Sequence, residues 1–157
     1  MAFMATVLIQ CVNMKLISSL VLLLLCSCAA PNVINPAFQP LYNQFVNDAR
    51  NANVDLSGNR GLTVQFASLE QPTALGEVIG ECVFNSVTVS IDTDYWNYAS
   101  PEDRQALLYH ELGHCLLLEQ HSTDPNAIMY PILNQSFNFY TKDWNELLNQ
   151  LFRERNI

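Results

Sequence analysis

The stretch Ser100-Pro101-Glu102-Asp103-Arg104-Gln105-Ala106-Leu107-Leu108-Tyr109-His110-Glu111-Leu112-Gly113-His114-Cys115-Leu116-Leu117-Leu118-Glu119-Gln120-His121 decides how this chain is read. It opens as a helix: Ser100 is an N-cap, Pro101 takes the first helical position, and Asp103 lies three residues past the cap. Glu102 and Asp103 then stand at the positive end of the helix dipole. The spacing predicts one helix from Pro101 to about Leu118 or Glu119. On it His110 and His114 are four residues apart, so both imidazoles leave the same face. Two nitrogens on adjacent turns can meet one tetrahedral ion at about 2.0–2.1 Å. Glu111 sits about 100° round the helix and reaches a water at that ion without taking a ligand position. The competing reading is a surface helix carrying two unrelated histidines. Gly113 lowers helix propensity by about 1 kcal/mol, and its missing Cβ leaves room for another segment to pack close to this helix.

Downstream, the chain's third and last histidine, His121, follows seven residues after His114. A helix ending near Leu118 and a sharp turn would bring it back toward the other two. Ser122-Thr123-Asp124-Pro125-Asn126-Ala127-Ile128-Met129-Tyr130-Pro131 comes next. From His110 to Pro131 the sequence resembles the metzincin clan of zinc endopeptidases, and the matrixins most closely. The resemblance implies an α+β, zincin/metzincin-like fold: a small twisted sheet, mainly antiparallel or mixed, packed on an active-site helix, with a helix at the C-terminal end. It implies one catalytic Zn2+ held by His110, His114 and His121, with Glu111 as general base. Met129 becomes the Met-turn methionine beneath the metal, and Tyr130 its neighbour, placed to help hold the metal or the oxyanion. The clan's long motif has a Gly three residues after the second His and the third His six after. Here those positions hold Leu117 and Gln120, so the histidine comes one residue late. The turn then falls to an ordinary residue, Gln120 or Glu119, and Glu119, Asp124 or Glu146 stand as alternative third ligands.

The N-terminal end reads as a targeting segment. Lys15 precedes an apolar run, Leu16 to Leu25, too short to span a bilayer, which needs about 20 residues. Leu25-Cys26-Ser27-Cys28 resembles a bacterial lipobox, with Cys28 the lipidated residue. Met14-Lys15 makes an ordinary start, so Met1 or Met14 can be the true first residue; an uncleaved anchor helix is the other reading. Residues 1–27 are thus expected as signal peptide, 28–40 as an Asn- and Pro-rich tether, and 41–157 as a single domain. Without 1–27 the chain keeps six Lys/Arg and 15 Asp/Glu, a charge of about −9. That excludes a basic nucleic-acid footprint and is most simply a solubility feature. The expected place is the bacterial cell envelope, lipid-anchored and facing the periplasm or exterior. Only Cys82 and Cys115 then remain in the domain. In an exported protein they invite a disulfide pinning the metal helix to a strand, against two buried free thiols.

Elsewhere, Leu41, Tyr42, Phe45, Val46 and Ala49 predict a helix over 38–52. Alternating Leu62, Val64 and Phe66 predict a strand over 62–69. Val78 to Phe84 and Val87 to Ile91 read as a hairpin about Asn85-Ser86. A last helix should begin near Thr141, with Trp144, Leu147, Leu148, Leu151 and Phe152 as its apolar stripe. Phe137, Phe139 and Tyr140 are expected either to wall a substrate pocket or to join the core. Asp92, Asp94 and Asp124 are candidate ligands of a structural Ca2+, although solvated loop aspartates are the commoner arrangement. The resulting expectation is a zinc metalloendopeptidase acting on a protein or peptide substrate. The alternatives are a catalytically inactive zincin-fold lipoprotein that binds zinc or a protein partner, and a structural lipoprotein with a fortuitous motif.

Overall fold

A computed structural model describes residues 30–59, 61–69, 72–73, 76–77, 79–131 and 143–153. The expected signal at 1–27, Cys28, the segment 132–140 with its aromatics, and Thr141 lie outside the described residues. In chain order the elements are β1 (Val33–Ile34), α1 (Gln39–Asn51), β2 (Thr63–Ala67), the short β3 (Pro72–Thr73) and β4 (Gly76–Glu77), and β5 (Gly80–Val83). After them come a 3-10 turn (Phe84–Ser86), β6 (Thr88–Asp92), α2 (Thr93–Tyr98), α3 (Pro101–Leu112), a π-helical turn (Gly113–Leu117) and α4 (Trp144–Arg153).

The main sheet has the order β1-β2-β6-β5. β1, β2 and β6 run parallel, and β5 alone is antiparallel, on β6. The sheet is therefore mixed, one of the two arrangements expected, with parallel pairs outnumbering the antiparallel one. Val64 is buried on β2, while Val89, Ser90 and Ile91 are all buried on β6, as a central strand covered on both faces requires. The β5–β6 hairpin closes through Phe84–Ser86 and a left-handed Val87 (φ 46°), not through a two-residue turn at Asn85-Ser86. A tight turn of that kind needs two positive-φ residues, and Asn-Ser supplies that poorly; the register Val83↔Thr88 leaves four residues for the loop instead.

Residues 33–40 correct the expected tether. Val33 and Ile34 pair with Thr63 and Val64, and Phe38 is fully buried against Phe66 (ring centroids 4.5 Å) and Trp96 (4.7 Å). The uncharged, Pro-flanked stretch hid one short strand and one aromatic anchor. The helix that follows buries Phe45 and Ala49, and Phe45 meets Tyr109 edge-on at 5.0 Å.

Helix α3 is the central post. Ser100 Oγ accepts from Asp103 N (3.1 Å) and donates to Asp103 Oδ2 (2.7 Å), so the cap is reciprocal. From Ala106 to Leu112 every residue is buried, which places α3 between the sheet and α1. Tyr109 is held there by donating its hydroxyl to Asp48 Oδ2 on α1 (2.7 Å); burial, and then that carboxylate, push the phenol well above its ordinary range. On the sheet side Cys82 of β5 is disulfide-bonded to Cys115, with Cα atoms 5.6 Å apart. This bond clamps an edge strand to the turn that follows His114. With a sequence separation of 33, its loss should destabilise the fold by about 3–4 kcal/mol. Urea unfolding of the Cys82→Ser/Cys115→Ser double variant measures this; a change below about 1 kcal/mol would mean that the clamp contributes little.

Candidate metal centre

The buried post carries His110 and His114 at its C-terminal end. His110 Nδ1 lies 2.7 Å from the Ile128 carbonyl, and His114 Nδ1 lies 2.7 Å from the Glu119 carbonyl. A carbonyl only accepts, so each Nδ1 carries the hydrogen and each Nε2 is left with a lone pair. The two Nε2 atoms face one another at 3.1 Å. Two lone pairs at that distance repel unless a cation lies between them. Nitrogens on a tetrahedral ion with bonds of about 2.0–2.1 Å are separated by roughly 3.3 Å, so the pair fits such an ion. The His121 ring comes to 4.8 Å from that of His114 and 5.3 Å from that of His110. One donor atom from each of the three histidines lies within 4.8 Å of the others.

Among the described residues this is the group of His, Cys, Asp and Glu side chains that converges as a metal site would. The other candidates for a third ligand are not part of it. Glu119 offers its backbone carbonyl to His114. Asp124 accepts from Asn126 N (2.9 Å) and from Gln150 Nε2 (3.2 Å). Glu146 is exposed on α4. The aspartates considered for calcium also have local duties: Asp92 caps α2 by accepting from Tyr95 N (2.8 Å) and receives Leu69 N (3.2 Å).

Burial sets the charge state of the site. It pushes His110 down to about 4, with the neighbouring imidazoles adding to the effect, and it lowers His114 as well. Both rings are therefore neutral at physiological pH, the form that ligates metals. Glu111, only 4% exposed, is pushed up to about 8, first by burial and then by the charge of Glu81 on β5. A carboxyl held so far from water is ionised in place only beside positive charge, which a divalent cation would supply.

The return from His114 to His121 departs from the expected helix. The α-helical pattern stops at Leu112, and Gly113–Leu117 is a π turn, which is an α-helix with one residue inserted. It closes with Leu118 in the left-handed region (φ 58°) and Glu119 N donating to Gly113 O (3.1 Å). The turn residue is thus Leu118, not Gln120 or Glu119. It stands four residues after His114, where the long three-histidine motif has its turn three after the second His. The extra residue is taken up inside the helix, and the reversal beyond it is shifted as a unit.

Beneath the histidines, a Cβ at Gly113 would lie 2.6 Å from Met129 Sδ. The bare glycine lets buried Met129 pack directly under the helix between His110 and His114. Ser122 N donates to Met129 O (2.8 Å) and ties the 121–130 loop to itself. Tyr130 is half-buried beside it. The two carbonyls that orient the rings are not legible in the sequence, because a backbone acceptor leaves no residue signature. Gly80 also went unnoticed: a Cβ there would meet Glu111 Oε1 at 2.6 Å, so its absence lets β5 pass alongside the carboxylate.

A helix presenting two neutral imidazoles beside one buried carboxylate, with His121 converging on them from the following loop, is an arrangement that suits a metallopeptidase. The family model described as "Putative phage metallopeptidase" matches residues 44–146, and the chain belongs to that family. No curated protein matches it.

Leu118 holds a left-handed conformation while 65% exposed. That conformation costs a non-glycine residue about 1–2 kcal/mol, against a gain in unfolded-chain freedom of about 0.4–1 kcal/mol when glycine replaces it. Leu118→Gly should therefore leave stability unchanged or raise it by up to about 1 kcal/mol in thermal or urea unfolding. A clear loss would show that the leucine side chain, not the backbone, sets this turn.

Proposed function

We propose that the protein is a zinc-dependent endopeptidase of matrixin-like type, in which His110, His114 and His121 hold one Zn2+ and Glu111 is the general base. The observation that carries this reading is the pair of Nε2 lone pairs 3.1 Å apart, each fixed by an Nδ1–H bond to a carbonyl, with His121 closing the triad. Neutral imidazole is a ligand type that suits zinc. Held there, the ion supplies Lewis acidity to the scissile carbonyl and the attacking water, and positive charge that favours ionised Glu111. Glu111 takes one proton from the water as its oxygen attacks the carbonyl carbon, then passes it to the departing amine as the C–N bond breaks. Met129, which packs against Gly113, would be the Met-turn methionine, and Tyr130 would help hold the metal or the oxyanion. An extended substrate adds to the open edge of β5, which runs past Glu111 at Gly80.

Glu111→Ala should keep one equivalent of zinc yet lose peptidase activity by at least about 100-fold. His121→Ala should weaken zinc binding by more than about 100-fold, since changing even an outer partner of a ligand costs 10–100-fold. Zinc analysis and a casein or peptide-library assay read both variants. Turnover by Glu111→Ala equal to that of the parent would remove the general-base role.

The reading includes anchoring in the cell envelope through lipidated Cys28, supported by the short apolar run and the Leu25-Cys26-Ser27-Cys28 sequence. Labelled palmitate fed to expressing bacteria should enter the protein, and Cys28→Ser should abolish that incorporation. Undiminished labelling of the variant would count against the anchor.

A further inference from the structure

β5 is the outer strand of the main sheet among the described residues, and its side chains alternate between two faces. Gly80 and Cys82 face α3: the first adjoins Glu111, and the second is bonded to Cys115. Glu81 and Val83 therefore stand on the opposite face, and both are exposed. Glu81 has no hydrogen-bond or ion-pair partner among the described residues, and it directly follows Gly80, the β5 residue that adjoins Glu111. Val83 is an exposed apolar residue two positions along the same face. A carboxylate one residue from the strand's contact with Glu111, on the outer strand of the sheet, makes no contact among the described residues that supports the fold. A residue in a strand paired beside β5 has its side chain on the same face as the β5 residue opposite it.

We propose that Glu81 is a specificity-determining residue that selects substrates with Lys or Arg at the position paired opposite it on β5, with Val83 favouring an apolar residue two positions away. The idea deepens the peptidase reading and rests on it for the site, but the selection itself is one of binding. The surrounding chain carries formal charge −8, so its long-range field also favours cationic peptides. Opposite charges paired across strands contribute roughly a two- to fivefold preference, and added salt should reduce it.

The test uses the zinc-loaded full chain and a randomised peptide library with cleavage sites read by mass spectrometry. The parent should enrich Lys and Arg about threefold at one fixed position from the cut. Glu81→Gln should flatten that enrichment, and Glu81→Lys should reverse it toward Asp and Glu. In parallel, the Glu111→Ala chain should bind a fluorescent Lys-containing peptide about threefold more tightly than its Ala counterpart, and Glu81→Gln added to it should erase the difference. Unchanged zinc content and unfolding midpoint verify that the Glu81 variants are intact. Enrichment that persists in Glu81→Gln, or its absence in the parent, overturns the proposal. No cleavage by any form, with the binding preference intact, overturns the peptidase reading and leaves the role of Glu81 standing.

Discussion

Seven residues of chain must carry His121 back to within a ring's width of His114, and the rest of the site depends on that reversal. The ring centroids end 4.8 Å apart. A regular α-helix continued over the same span would carry His121 about 10 Å along the axis, beyond reach of a shared ion. The π turn solves this by widening the helix by one residue, and Leu118 then reverses the chain at the expense of a strained backbone. Because the turn ends where it does, the Glu119 carbonyl falls beside His114 Nδ1. One local irregularity thus sets both the third histidine and the tautomer of the second.

How far this was legible in the sequence differs residue by residue. Ser100, Pro101 and Asp103 announced the helix start because capping acts through side chains adjacent in sequence. His110, Glu111 and His114 were readable for a similar reason, since helical periodicity alone brings them to one end of one element. The turn was not readable, because a π insertion leaves no side-chain signature and any of several residues can take the left-handed position. Val33, Ile34 and Phe38 were misassigned to a tether because two strand residues and one aromatic carry too little pattern to outweigh their polar neighbours. Their role appears only when β2 and Trp96 are brought to them from far along the chain. Helix α2 escaped for a different reason: six residues are too few for a periodicity, although Asp92 is a good cap.

The packing around the helix that carries Glu111 depends on residues chosen for what they lack or what they link. Gly80 lacks the Cβ that would strike its carboxylate, so the edge strand comes close. Cys82, two residues on, is bonded to Cys115 and holds the strand at that distance. Gly113 makes the matching allowance below the helix, where Met129 Sδ occupies the space a side chain would need. Strand and helix therefore close on a group that burial alone would keep protonated. Such a carboxyl is poorly placed for stability and well placed for proton transfer, since its affinity for a proton responds strongly to neighbouring charge.

The three histidines are also graded in depth. His110 is 4% exposed, His114 is half-buried and His121 is exposed. The two inner rings sit on the helical segment that ends at Leu117 and are oriented by loop carbonyls, whereas the outer one sits on the loop beyond Leu118. An ion held between them would have protein behind it and solvent on the His121 side. β5, the outer strand of the main sheet among the described residues, passes the same site at Gly80 beside Glu111. The gradient of depth and the outer strand thus leave the site walled by protein on the His110 side and facing solvent on the His121 side.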